Sequence, residues 1–166
     1  MRLLYPKLLS VAIHYIFINI LSLVFLFVSN MLASCNKEDD INSIFAGKTW
    51  YITGATINGS VINGELLKEL YVSPSSYFIQ FSSDNTFNGA LVAGSSIAGT
   101  WNANGKKNTF SFHFSKSTDV NNSSLSNNIF NILKDASSYN GDENNVIIKE
   151  DNQNIVRFTI NRFNTH

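Results

Sequence analysis

The sequence predicts a small, mainly β protein: a single antiparallel β-barrel or curled sheet of about eight strands with one or two short helices, after a cleaved N-terminal signal. Three observations support this fold class. Short runs of β-branched and aromatic residues recur from Lys48 onward. Asn-Gly pairs at 58–59 and 104–105 favour tight hairpin turns between such runs. The chain after the signal has about 130 residues, which can bury close to two-thirds of their unfolded surface around one core.

The strands follow from period-2 alternation and from turn residues between the runs. The alternation is clearest at 110–115, where Phe110, Phe112 and Phe114 fall on one face and polar residues on the other, so one face should be buried and one wet. The other predicted strands are 49–57, 61–62, 77–82, 86–92, 97–103, 146–150 and 155–161.

Two segments change to a helical period. Leu66, Leu67 and Leu70 fall on one side of a two-turn helix at 65–71. A second short helix is expected at 129–133, capped by Ser126 or Asn127. The polar stretch at 117–128 is expected to be mobile.

The alternation also predicts the interior of the barrel. A barrel of about eight strands is just wide enough for side chains to fill, so this many large residues should leave no ligand cavity. The predicted inward set is Trp50, Ile52, Tyr77, Ile79, Phe81, Phe87, Leu91, Ile97, Trp101, Phe110, Phe112, Phe114, Val146, Ile148, Val156, Phe158 and Ile160.

The first 34 residues have the composition of a secretory signal. Arg2 and Lys7 form a cationic start, and residues 8–28 form a 21-residue run without Asp, Glu, Lys or Arg. This run also reaches the ~20 residues that a transmembrane helix needs, so an uncleaved anchor is the alternative interpretation.

The stretch Leu32-Ala33-Ser34-Cys35 resembles a bacterial lipobox. The resemblance implies a signal peptide at 1–34, cleavage between Ser34 and Cys35, and lipidation of Cys35, which would then attach the protein to the membrane. Cys35 is the sole cysteine of the chain. The mature protein would therefore have neither a disulfide nor a free thiol.

Residues 35–44 are charged, which predicts a flexible acidic tether before an antiparallel β domain at 45–166. Within the tether, Lys37-Glu38-Asp39-Asp40 resembles the export signal of Bacteroidetes lipoproteins. The resemblance implies a lipid-anchored protein of the outer membrane that is exposed on the cell surface. The periplasmic face of the outer membrane is the alternative.

Charge excludes one class of partner. Of the twelve basic and twelve acidic residues, Arg2 and Lys7 precede the cleavage site, so the mature chain has ten basic and twelve acidic residues and a net charge of −2. No basic stripe is present, so we expect no nucleic-acid partner. Loops rich in Asn and Ser are expected to be solubilising turns, with a glycan-contacting surface as the alternative.

A set of positions along the domain follows a recognisable succession. These positions are Gly47, Trp50, Phe81, Asp84, Phe87, Gly89, Gly99-Thr100-Trp101, Ser117-Thr118, 130–133, Tyr139 and 146–158. The succession resembles META-domain lipoproteins of the heat-shock HslJ type. That family often has a Cys-Asn pair after the glycine matching Gly89 and another Cys after the threonine matching Thr118, and this chain has neither. Bacteroidetes lipocalin-like lipoproteins are the alternative, through Gly-Thr-Trp after a Phe-rich hairpin.

Side chains that could do chemistry are scattered. His113 lies on the polar face of a strand, where an exposed histidine is expected. Glu65 and Glu69 lie one turn apart on the wet side of the first helix. Asp142-Glu143 could hold a cation loosely, but a turn is the better interpretation. We therefore predict no enzyme, no metal site and no cofactor.

The predicted function is a membrane-anchored lipoprotein that acts as a non-catalytic binding or envelope assembly module. Its partner would be an envelope protein or a glycan. The alternative is a lipocalin-like carrier of a small apolar ligand, which would require an open apolar cavity. A hydrolase would require a triad or a metal centre that the sequence does not indicate.

Overall fold

The computed structural model describes residues 38–162 and shows one antiparallel nine-stranded sheet. Eight strands close into a barrel because β1 pairs with β9, with Ile52 opposite Phe158, and β2 extends the first hairpin. This confirms the predicted fold class. The strands are β1 (Thr49–Ile57), β2 (Ser60–Val61), β3 (Phe78–Phe81), β4 (Thr86–Ala90), β5 (Ser96–Asn104), β6 (Thr109–Thr118), β7 (Ser138–Gly141), β8 (Asn145–Lys149) and β9 (Ile155–Thr159).

Three α-helices accompany the barrel. They are α1 (Ile41–Ile44), α2 (Asn63–Val72) and α3 (Ser124–Lys134), and a 3₁₀ turn at Val120–Asn122 precedes α3. Across residues 38–162, no helix combines the length and the apolar character needed to span a bilayer.

The two ends of the barrel differ. The proximal end carries α1 and the turns at 82–85, 105–108 and 142–144. The distal end carries the turns at 58–59, 91–95 and 150–154, together with α2 and the start of α3. The described chain therefore enters at the proximal end, and the longer helices lie towards the distal end.

Side chains fill the barrel, as the alternation predicts. Fifteen of the seventeen predicted inward residues are buried, and Phe114 and Ile160 are partly buried. Phe45 lies among them with an exposed fraction of 1%. Its ring centroid is 5.0–5.5 Å from the centroids of four other rings, and these belong to Phe81, Trp101, Phe110 and Tyr139.

The segment predicted to be a tether is part of the folded domain from Asp39 onward. Asp39 accepts a hydrogen bond of 2.8 Å from the Tyr139 hydroxyl. Asp40 caps α1 by accepting bonds from the backbone N–H groups of Asn42 and Ser43, each 3.1 Å long. Ile44 is buried. The predicted boundary at residue 45 thus falls inside a packed segment, because α1 delivers Phe45 to the core.

Both longer helices differ in detail from their predictions. The first is confirmed, but Leu67 is exposed and Glu69 is half-buried, the reverse of the predicted sides. The second begins at Ser124 rather than 129, and its cap is Ser123, whose side chain accepts from the Ser126 N–H at 3.3 Å. The stretch 117–128, which was expected to be mobile, contains the end of β6, the 3₁₀ turn and the first turn of α3.

Candidate functional site

A groove of about 410 Å³ opens at the distal end, between α2 and the start of α3. One wall is the polar side of α2, and the other is the first turn of α3 with Ser123 before it. This volume lies within the range of ligand pockets, about 300–1,000 Å³. The lining residues are Ile57, Ile62, Glu65, Lys68, Glu69, Ser123, Ser124, Leu125 and Asn128.

Burial of apolar side chains fixes both helices. Leu66 and Leu70 of α2 are buried against the barrel, which turns Glu65, Lys68 and Glu69 towards the groove. On α3 the buried residues recur every three to four positions, as expected for a helix that packs along one face. They are Leu125, Ser126, Ile129, Ile132 and Leu133.

The Glu69 carboxylate joins the two walls of the groove. One oxygen accepts a hydrogen bond from the Tyr77 hydroxyl, and the other accepts from Ser123 Oγ at 2.5 Å. Ser123 also caps α3, so the Glu69 carboxylate lies at the N-terminal end of that helix. Burial, together with the hydrogen bond to Glu69, raises the pKa of Tyr77 well above its usual value. Glu69 therefore holds the groove in shape.

The charged groups at the groove that remain free for a ligand are Glu65 and Lys68, which are both exposed. Ser124 and Asn128 add a hydroxyl and an amide. These groups can bind polar or charged surfaces by hydrogen bonds and ion pairs. They do not form a nucleophile, base and orienting group in mutual hydrogen-bond contact.

Apolar side chains are exposed beside the groove. The large apolar residues with high exposure in residues 38–162 all belong to β2 and α2: Val61, Leu67, Tyr71 and Val72. Tyr71 and Val72 are 79% and 84% exposed. A shallow depression of about 340 Å³ lies where Val72 faces Val92 and Ala93. We call Leu67, Tyr71 and Val72 the distal patch; clustered exposed apolar side chains mark interaction sites.

The sequence-predicted anchor and export residues are only partly described. Ser34, Cys35 and Lys37 lie outside the described residues. Glu38 is exposed, whereas Asp39 and Asp40 make the structural contacts given above. Burial and the bond to Asp39 raise the pKa of Tyr139. The three acids thus lie at the proximal end, and no predicted site residue other than Glu65 and Glu69 lies in the groove.

The remaining candidates have ordinary roles. His113 is exposed, as predicted. One oxygen of Asp142 accepts from the N–H groups of Asn144 and Asn145, which lowers the pKa of Asp142 and holds a turn, as predicted. Glu143 pairs with Lys48 across 3.7 Å. Among the residues that the structure describes, no three His, Cys, Asp or Glu side chains form a group that could hold a metal ion.

Sequence reasoning missed the groove and the distal patch. The bonds of Glu69 join residues that are 8 and 54 positions apart, and no local pattern predicts them. One signal for the patch was present. Tyr71 and Val72 are apolar residues of α2 that lie outside the helix face buried against the barrel.

Comparison with known proteins gives a family and a fold. A crystal structure of a DUF4847 family protein from Bacteroides vulgatus ATCC 8482 is similar, with a TM-score of 0.58 and 22% identity, over 75% of this chain and 99% of that chain. No curated protein matches. The barrel is compatible with the lipocalin-like interpretation, while these comparisons give no support for the META-domain resemblance. The model of the DUF4847 family, a domain of unknown function, matches residues 36–160, so the chain belongs to that family.

Proposed function

We propose that the protein is a lipid-anchored, non-catalytic binding module of the outer membrane that presents the distal groove and patch to an envelope protein. The observation that carries the proposal is the separation of the two ends. Glu38 is three positions after Cys35, and three extended residues span at most about 10 Å. A lipid on Cys35 would hold the proximal end near the bilayer, and the distal end would face away from it.

The chemistry of the distal end favours a protein partner. The exposed side chains of the distal patch lie on α2, the helix that also forms one wall of a groove with both charges, hydroxyls and an amide. Protein interfaces combine apolar contacts, often including Tyr, with a polar rim. The folded domain has no strong net charge, which agrees with a partner other than nucleic acid.

The carrier alternative has less support. A lipocalin-like carrier encloses its ligand inside the barrel, but here large buried side chains occupy that space. An apolar ligand that copurifies with the protein inside the barrel would revive the carrier interpretation.

The binding proposal can be tested with the native lipoprotein in its own membranes. Cross-linked partners of the wild type would be compared with those of a Leu67→Ser, Tyr71→Ser double variant, and the control would change exposed Lys106 and Lys107 at the proximal end to Ser. We expect the double variant to lose an envelope protein that the control retains. Recovery of the same proteins by all three would contradict a distal binding face.

Lipidation is tested by Cys35→Ser, which should abolish incorporation of labelled palmitate and leave an uncleaved precursor. Three acyl chains exceed the two signals that stable anchoring needs. A wild type that takes up no label would favour the uncleaved helix instead.

Surface display is tested by adding protease to intact cells. The wild-type domain should be degraded, whereas Glu38→Gln, Asp39→Asn and Asp40→Asn together should protect it. The amide replacements remove charge but keep the acceptor oxygens that bind Tyr139 and cap α1. Cleavage of the wild type only after lysis would place it on the periplasmic face.

A further inference from the structure

The barrel wall is incomplete between β6 and β7. β6 runs over ten residues, but β7 pairs with it only where Thr109 lies opposite Ser138. Two backbone bonds reinforce this pair, from Phe110 N–H to Ser137 O at 3.2 Å and from Tyr139 N–H to Asn108 O at 3.0 Å. Beyond Phe110, β6 has α3 rather than a strand on that side.

Beyond Phe110, the space between β6 and α3 forms a gap in the barrel wall. The alternation of hydrogen bonds along β6 shows which backbone groups face this gap. Trp101 donates its N–H to Asn85 O at 2.9 Å, so Trp101 directs its polar groups away from β6. Its cross-strand partner Phe112 must then direct its own groups away from β5, because directly opposite residues either bond each other or both point outward. The backbone groups of Phe110 also face away from β5, since its N–H bonds Ser137 O, and those of Phe114 do so by the same two-residue alternation.

This edge is unpaired within the part of the chain that the structure describes. None of the hydrogen bonds among residues 38–162 satisfies the N–H and C=O groups of Phe112 and Phe114 along the gap. A strand edge of this kind is a template for another strand. The β6 register shifts at Ser115, between the pairs Gly99–Phe114 and Ala98–Lys116, so the regular part of the edge ends at Phe114.

A groove of about 460 Å³ runs along the edge, between β6 and the C-terminal half of α3. The half-buried rings of Phe114 and Phe130, with centroids 4.8 Å apart, provide apolar surface beside the free backbone groups. Lys134 and Asp135 on the far wall carry opposite charges. The site therefore offers backbone donors and acceptors, an apolar surface and no net charge.

We propose that the edge of β6 at Phe112 and Phe114 binds an extended segment of a partner polypeptide by antiparallel strand addition. Backbone pairing with Phe112 and Phe114 would supply the hydrogen bonds, and alternate apolar side chains of the segment would contact Phe114 and Phe130. α3 forms the other wall of the groove, so the segment would lie between the strand and the helix. This site is separate from the distal groove.

The pairing geometry predicts which amides of the guest matter. In an antiparallel pair, residues that exchange hydrogen bonds carry side chains on the same face. Guest residues bonded to Phe112 and Phe114 therefore place their side chains on the apolar side. In the probe acetyl-Lys-Thr-Val-Thr-Val-Thr-Lys-amide, the valine N–H groups should face β6 and the threonine N–H groups should face outward.

The experiment uses the full-length protein in detergent, the fluorescently labelled probe, and two forms methylated either at both valine amides or at the threonine amides. Methylation at valine should weaken binding by about tenfold or more, the effect of losing one or two net hydrogen bonds. Methylation at threonine should be tolerated. Amide hydrogen exchange at Phe112 and Phe114 should slow when the probe binds.

A matched pair of variants tests the location. Ser117 is exposed and lines the groove, so the larger side chain of Ser117→Trp should fill the groove and weaken probe binding about tenfold. The control, Thr100→Trp on the neighbouring strand, should bind the probe as the wild type does. No binding at millimolar probe, or equal binding of both methylated forms, overturns the proposal. Sedimentation that shows a dimer protecting the same amides would also overturn it, because the occupant would be a second copy.

Discussion

Phe45→Ala tests whether the segment before β1 belongs to the core. Phe45 follows α1 and is 1% exposed. Its ring contacts aromatic rings from four strands, with edge or tilted geometries that add to simple burial. If residues 35–44 were only a tether, this side chain would have little effect on stability.

The expected cost follows from the buried area. A buried Phe removes roughly 150–250 Å² from water, which at ~25 cal/mol per Å² corresponds to about 4–6 kcal/mol. Measured Phe→Ala changes cost about 3–5 kcal/mol, and more where the surroundings cannot collapse into the cavity. Rings held by four strands of a closed barrel have little freedom to do so. We expect a loss of about 4 kcal/mol.

Urea denaturation of the protein beginning at Asn36, followed by tryptophan fluorescence, measures this loss. The midpoint should fall with an unchanged slope, which separates lost stability from a changed unfolded state. Tyr71→Ala, a truncation of an aromatic residue on the distal patch, is the control and should stay within about 0.5 kcal/mol. A loss below about 1.5 kcal/mol for Phe45→Ala would refute the assignment of this residue to the core.

Three further predictions concern hydrogen bonds and backbone contacts. The pKa of Tyr77 is raised in the folded protein, so the contribution of Tyr77 to stability is complete below about pH 10 and is lost as pH rises further. In urea titrations at alkaline pH, the free energy of unfolding should therefore fall less steeply with pH in Tyr77→Phe than in the wild type. Ser123→Ala removes the cap of α3 and should cost about 1 kcal/mol in the same assay. A Cβ at Gly99 would lie 2.0 Å from His113 O, so Gly99→Ala should lower the thermal midpoint by several degrees. For a small domain, each kcal/mol of lost stability lowers the midpoint by about 4–8 °C. An unchanged midpoint would contradict this close approach.

The strands and the barrel interior could be predicted because alternation is a local property of the sequence. Phe110, Phe112 and Phe114 alternate with polar residues, and the structure pairs that strand over nine positions with β5. β7 could not be predicted in this way. Its residues, Ser138 to Gly141, include one apolar side chain, and its pairing with β6 joins Thr109 to Ser138, which are far apart in the sequence.

α1 and the start of α3 were missed for a different reason. The charged residues before Ile41 indicate solvent exposure, and a single helical turn is too short to show a period. In α3, polar residues at 126–128 hide a turn whose Ser126 is fully buried. The distal groove depends on Glu69 reaching Ser123, a tertiary contact that periodicity does not encode.

The packing of Phe45 has a mechanical consequence for an anchored protein. If the lipid holds the chain before Glu38 and a partner pulls on the distal end, tension reaches the barrel through Asp39, α1 and Phe45. The part-buried bond from Tyr139 to Asp39 and the exposed cap at Asp40 are single polar contacts of modest net strength. Extraction of the Ile44 side chain and then of the Phe45 ring from the core would follow as the first costly steps. The side chain that completes the core is thus also the point at which the domain would begin to open under load.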